Sequence, residues 1–94
     1  MNKLDNSALL FKALGDQTRI RIIEAIMNTE KNVMQIANEL NMTHSAISHQ
    51  LQLLKEVNIV RFRRKGKEIF YTLSDSHIKT VVEQVFTHAM ECEE

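Results

Sequence analysis

Residues 33–56 read VMQIANELNMTHSAISHQLQLLKE, and the fold turns on how that stretch divides. Ile36, Ala37 and Leu40 recur at helical spacing, which predicts a short helix over about Val33 to Leu40. The polar break Asn41-Met42-Thr43 follows, and Thr43 suits the N-cap of a second helix from about His44 to Glu56. At about 100° per residue, Ile47, Leu51 and Leu54 of this second helix form one apolar stripe. Ser45, Ser48, His49 and Gln52 form another, turned away from it. A short helix, a brief break and a second amphipathic helix make the layout of a helix-turn-helix, whose second helix enters the major groove of DNA. The hydroxyls, amide and imidazole of the outer stripe, with His44 at the helix start, suit base edges and nearby phosphates. Read alone, the same stripe is equally an ordinary solvated face.

The residues that follow change the period. Val60 and Phe62, then Ile69, Tyr71 and Leu73, alternate with other residues around Lys65-Gly66, which predicts a β-hairpin over about 60–73. Arg61, Arg63 and Lys65 alternate with Val60, Phe62 and Arg64, so that one face is expected to pack while the tip offers cations. Five of the 12 Lys and Arg residues, Arg61, Arg63, Arg64, Lys65 and Lys67, fall in this segment although the formal net charge of the chain is zero. Such a concentration on one small element marks a surface that meets phosphate, and its affinity would be steeply salt dependent. Arg63, Arg64, Lys65 and Lys67 are the wing cations assigned to DNA. The competing reading is an edge hairpin that uses its charges to resist aggregation.

Upstream, Leu9, Leu10, Ala13 and Leu14 predict a helix from about Asn6 to Leu14, with Gly15 as a left-handed C-cap. Asp16 is the expected N-cap of a helix carrying Ile20, Ile23, Ile26 and Met27 to about Asn28. Downstream, Ser74 is expected to cap a last helix over about 75–91, with Ile78, Val81, Val82, Val85, Phe86 and Ala89 apolar. The predicted fold is therefore mainly α with a small β-hairpin, in the order ααααββα, as a single domain over residues 1–94. Its 94 residues leave room for one small core. No apolar run approaches the roughly 18 residues of a membrane span, and the N-terminal residues lack a secretory pattern, so a soluble, cytoplasmic protein with no membrane partner is expected.

The last helix holds a second constellation: Asp75, His77, His88 and Glu91. His77 and His88 are eleven residues apart, about 1100° of turn, which returns to within roughly 20° of one direction. Glu91 lies within about 60° of that direction, whereas Asp75 would point nearly opposite His77 if both were helical. Asp75 is therefore expected to act from the looser start of the helix. Eleven helical residues span roughly 16 Å, whereas zinc requires its ligands at about 2 Å, so one straight helix cannot hold a single ion with both imidazoles. Two antiparallel copies can. Asp75 and His77 of one protomer would then meet His88 and Glu91 of another, and two-fold symmetry would make two such sites per homodimer. Two imidazoles and two carboxylates make a neutral tetrahedral zinc site, with cobalt as a surrogate ion. The competing reading is four polar residues scattered on an exposed helix. Cys92 is the only cysteine, so intrachain disulfides and thiolate-pair metal sites are excluded.

From about Leu9 to Glu91 the chain resembles the ArsR/SmtB family of winged-helix metal-sensing repressors, zinc-sensing branch. The resemblance rests on Ala13-Leu14-Gly15-Asp16 with Arg19 and Ile22, on Ser48-His49-Gln50-Leu51 followed by Leu54-Lys55, and on the Asp75, His77, His88, Glu91 pattern. It departs from the family where a cysteine pair would precede the recognition helix: the segment here is Asn32-Val33-Met34-Gln35-Ile36. The resemblance implies a homodimeric repressor whose apo form binds a palindromic operator and releases it when zinc binds, derepressing metal efflux or sequestration genes. It also implies that His88 reaches a backbone carbonyl near Asn58, coupling metal to DNA. Two other functions remain open to the sequence: a winged-helix regulator answering another signal or none, its four ligands incidental, and a zinc enzyme. The second is disfavoured because four protein ligands close the position that catalysis needs, so no enzymatic activity and no small-molecule substrate are expected.

Overall fold

Asn2, Asp16, Asn32 and Thr43 each accept a hydrogen bond from a backbone N–H three residues on, those of Asp5, Arg19, Gln35 and Ala46, at 2.9–3.1 Å. These caps start the first four helices: α1 (Lys3–Leu14), α2 (Gln17–Ile26), α3 (Val33–Leu40) and α4 (His44–Glu56). The computed structural model describes residues 2–91. Beyond α4 lie β1 (Val60–Lys65), β2 (Glu68–Leu73) and α5 (Ser76–Glu91), so the predicted order ααααββα is observed.

The strands pair antiparallel from Val60 opposite Leu73 to Lys65 opposite Glu68. Gly66 and Lys67 form the loop, and Gly66 has φ +66°. Glycine at the first position of a two-residue hairpin loop is what that backbone requires. The sheet has a third contributor that the periodicity did not reveal. Lys31 bridges Tyr71 through both backbone hydrogen bonds, at 3.1 and 2.8 Å, pinning the α2–α3 loop to the free edge of β2.

The core lies between α2, α3, α4 and the base of the hairpin. Ile22, Ile23, Ile26, Ile36, Ile47 and Leu54 are wholly excluded from solvent, each stabilising the fold by roughly 1.5–3 kcal/mol relative to an exposed position. The apolar stripe read from α4 is thus a core face: Ile47, Leu51 and Leu54 are all buried.

Several boundaries and caps differ from expectation. α1 begins at Lys3 and not Asn6, because the Asn2 cap starts it three residues before the apolar pattern does. α2 ends at Ile26, where the N–H of Met27 already turns to the carbonyl of Glu24. Gly15 is not left-handed, having φ −84°; glycine serves there because a Cβ would sit 3.3 Å from the Phe11 carbonyl oxygen. Asp75, not Ser74, caps α5, accepting from the N–H of Ile78 at 3.0 Å. The expected packed face of β1 is also reduced. Only Val60 is buried, and Phe62 is 42% exposed against the side of Tyr71.

Candidate functional site

α4 is held from behind and open in front. Its buried stripe fixes one side, and Arg19 fixes the rim: the guanidinium donates to the carbonyls of Ala13 (2.7 Å) and Lys12 (3.4 Å) and to Oε1 of Gln50 (3.3 Å). One side chain thus closes the C-terminal end of α1 and ties it to α4. That gives a physical reading to the Ala13–Asp16, Arg19 and Gln50 pattern. His44, Ser45, Ser48, His49 and Gln52 are all exposed, as the helical phase predicted. Gln52 donates to Glu56 at 3.4 Å, the one side-chain hydrogen bond that this stripe makes among the described residues.

In the wing the five cations are not equivalent. Arg63 engages Glu30 through two hydrogen bonds, from Nε (2.6 Å) and from an Nη (2.5 Å). Lys65 Nζ lies 3.7 Å from the same carboxylate. Arg64 and Lys67 are exposed and make no ion pair among the described residues. Lys55 at the end of α4 reaches across to the wing, its Nζ 4.3 Å from the centroid of Phe62. The sequence reading did not find Glu30, which stands 33 positions from Arg63 with no local pattern connecting the two.

On α5 the four candidate ligands separate into two pairs. Asp75 Oδ1 lies 3.6 Å from Nδ1 of His77 at the helix start. The cap geometry accounts for this: Asp75 precedes the first helical residue, so it is not bound by the helical phase that would have turned it away. Its carboxyl is held below the ordinary value first by the Ile78 N–H, with desolvation opposing and His77 adding to the effect. His88 and Glu91 sit at the far end of the helix, both exposed. Among the described residues no three His, Cys, Asp or Glu side chains come together tightly enough to hold a metal ion within one chain. Cys92 lies outside the described residues. The donor set itself suits a borderline-soft divalent ion, with imidazole and carboxylate and no thiolate.

Asn58, where a coupling carbonyl was expected, has φ +60° in the bend between α4 and β1. Its carbonyl accepts a 2.5 Å hydrogen bond from Oγ of Ser74, the residue before Asp75. The start of α5 is therefore joined directly to the end of α4. Leu4 and Phe11 of α1 and Val85 and Met90 of α5 are more than half exposed, leaving apolar side chains of both helices uncovered in the single chain.

The sequence profile described as bacterial regulatory protein, arsR family, matches residues 16–61, which run from the α2 cap to the first strand. The cadmium resistance transcriptional regulatory protein CadC homolog of Staphylococcus aureus is 39% identical over 85 residues, 89% of this chain and 70% of that protein. The chain belongs to the arsR family. Another relative, the transcriptional repressor SmtB homolog of Synechocystis sp., is 32% identical over 91 residues, covering 97% of this chain and 69% of that one. Among solved structures, the winged helix-turn-helix domain of Mb0332 from Mycobacterium bovis superimposes with a TM-score of 0.92 at 30% identity. It covers 97% of this chain and 84% of that chain, and is described as a homodimeric DNA-binding domain. The arsR relatives named here are transcriptional regulators and not enzymes. No helix among the described residues of this arsR protein is long and apolar enough to cross a membrane.

Proposed function

We propose that this arsR protein is a zinc-responsive transcriptional repressor that works as a homodimer. One observation carries the metal part of the reading: the four ligands stand in two exposed pairs at opposite ends of α5, on a helix that also leaves Val81 and Val85 uncovered. Antiparallel packing of two α5 helices buries that apolar surface and brings Asp75 and His77 of each protomer to His88 and Glu91 of its partner. Bound zinc supplies a four-coordinate cross-link between protomers, two ions per dimer, with cobalt as its spectroscopic surrogate. The name of the S. aureus relative carries cadmium, a metal for which thiolates are the favoured ligands. This chain has one cysteine in all, which favours zinc.

For DNA, the dimer presents two α4 helices about 34 Å apart, one helical turn of a palindromic operator. Ser45, Ser48, His49 and Gln52 face base edges, His44 lies near a phosphate at the helix start, and Arg64 and Lys67 of the wing meet the backbone. His88, oriented as a metal ligand, has a second ring nitrogen to donate. The Asn58 carbonyl, one of whose two lone pairs is taken by Ser74, retains the other to accept it. That connection runs from the ligand helix to the end of α4 and disfavours the DNA-binding spacing.

Linkage supplies the test: the factor by which zinc weakens DNA binding must equal the factor by which DNA weakens zinc binding. Zinc titrated into free and operator-bound protein should give two different affinities, and equal affinities reject the reading. His88→Ala should keep DNA binding and lose the zinc response.

A further inference from the structure

Glu30 sits in the α2–α3 loop beside Lys31, whose backbone is bridged to Tyr71 of β2. Tyr71 is the cross-strand partner of Phe62, the neighbour of Arg63. The backbone bridge therefore delivers Glu30 to the outer face of the hairpin before any side chain is involved, and little further ordering is needed to close the ion pair. Arg63 and Lys65, two residues apart on β1, project from that same face and share the one carboxylate. Behind the contact lies a cleft of about 470 Å³ between residues 27–30 and the hairpin, lined by Arg61, Phe62, Arg63 and Thr72.

We propose that Glu30 is a charge gate on the wing, a positioning residue that holds Arg63 and Lys65 away from DNA so that Arg64 and Lys67 carry the phosphate contacts. A wing with five unrestrained cations in each protomer would bind any duplex strongly through counterion release, without regard to sequence. By occupying two of them, Glu30 lowers that indiscriminate affinity and leaves the α4 face to decide where the dimer settles. This inference rests on the DNA-binding reading above and names an added determinant of its specificity.

The experiment measures the affinity of the protein for a random-sequence duplex across a range of salt concentrations, for wild type, Glu30→Gln, Arg63→Ala, Arg64→Ala and the double variant Glu30→Gln with Arg63→Ala. Glu24→Gln, an equal charge change at an exposed position of α2, is the control. Each added phosphate contact steepens log affinity against log salt by about 0.9, so two to four new contacts per dimer add about 1.8 to 3.6 to the slope of Glu30→Gln. Arg63→Ala alone leaves the wild-type slope nearly unchanged, because that guanidinium is already committed. In the double variant it removes about half of the gain. A Glu30→Gln slope equal to that of Glu24→Gln overturns the proposal, as does an Arg63→Ala loss as large as that of Arg64→Ala. Retention on immobilised heparin keeps the proposal testable without operator function: Glu30→Gln should elute at higher salt than Glu24→Gln, and co-elution counts against the gate. Absence of duplex binding by wild type would speak against the DNA reading, and the heparin comparison would still decide the role of Glu30.

Discussion

The Glu30 carboxyl is held below its ordinary value of 4.5, first by the hydrogen bond from Arg63, with desolvation opposing and the charges of Arg63 and Lys65 reinforcing. A carboxyl whose folded pKa is depressed stabilises the native state fully above its unfolded value and loses that contribution as pH falls through the folded one. The pair is solvent-exposed, so its effect on global stability is small. The direct readout is titration of the Glu30 side chain by carbon-detected NMR. Its midpoint should lie below 4.5 in wild type and rise toward that value in Arg63→Ala; an unchanged midpoint would mean that the ion pair does not persist in solution. In the core, Leu54 is wholly buried on the inner face of α4. Leu54→Ala should cost about 2–5 kcal/mol in denaturant unfolding, a large part of the marginal stability of a small domain.

At the scale of elements, α4 and the wing each depend on one local device. Thr43 caps α4 through the Ala46 N–H at 3.1 Å, and Thr43→Ala should lower stability by about 1 kcal/mol while fraying the end of the helix that carries His44 and Ser45. Gly66 has φ +66° with nothing within 4 Å of a Cβ built there. Gly66→Ala is therefore resisted by backbone strain alone, about 1–2 kcal/mol, and amide exchange should quicken in β1 and β2 but not in α2. Both devices were legible in the sequence, because a cap residue and a turn glycine act over three or four positions. The α5 start was misassigned for the same reason: Ser74 and Asp75 are adjacent and both able to cap. Tertiary structure separates them by turning the Ser74 hydroxyl to the Asn58 carbonyl, 16 residues away.

The whole molecule leaves α1 and α5 with an apolar surface that a single chain does not cover, and the proposed dimer follows from it. Val85 is 53% exposed on α5. Val85→Glu should therefore leave the circular dichroism spectrum of the helices unchanged while shifting sedimentation toward a monomer, with zinc affinity falling in parallel because each site takes ligands from two chains. A variant that stays dimeric and binds zinc normally would place the interface elsewhere.

Periodicity in the sequence determined the order of helices and strands, the buried stripe of α4 and the exposure of its opposite face, because helical phase and strand alternation are properties of neighbouring residues. The same phase put His77, His88 and Glu91 on one side of α5 and required Asp75 to act from its start. Only the tertiary structure decided that Glu30 restrains Arg63 and Lys65, that Arg19 ties α1 to α4, and that Lys31 adds a bridge to the sheet. These contacts reach partners 31 to 40 positions away, and no spacing along the chain encodes a partner that chain folding alone brings near.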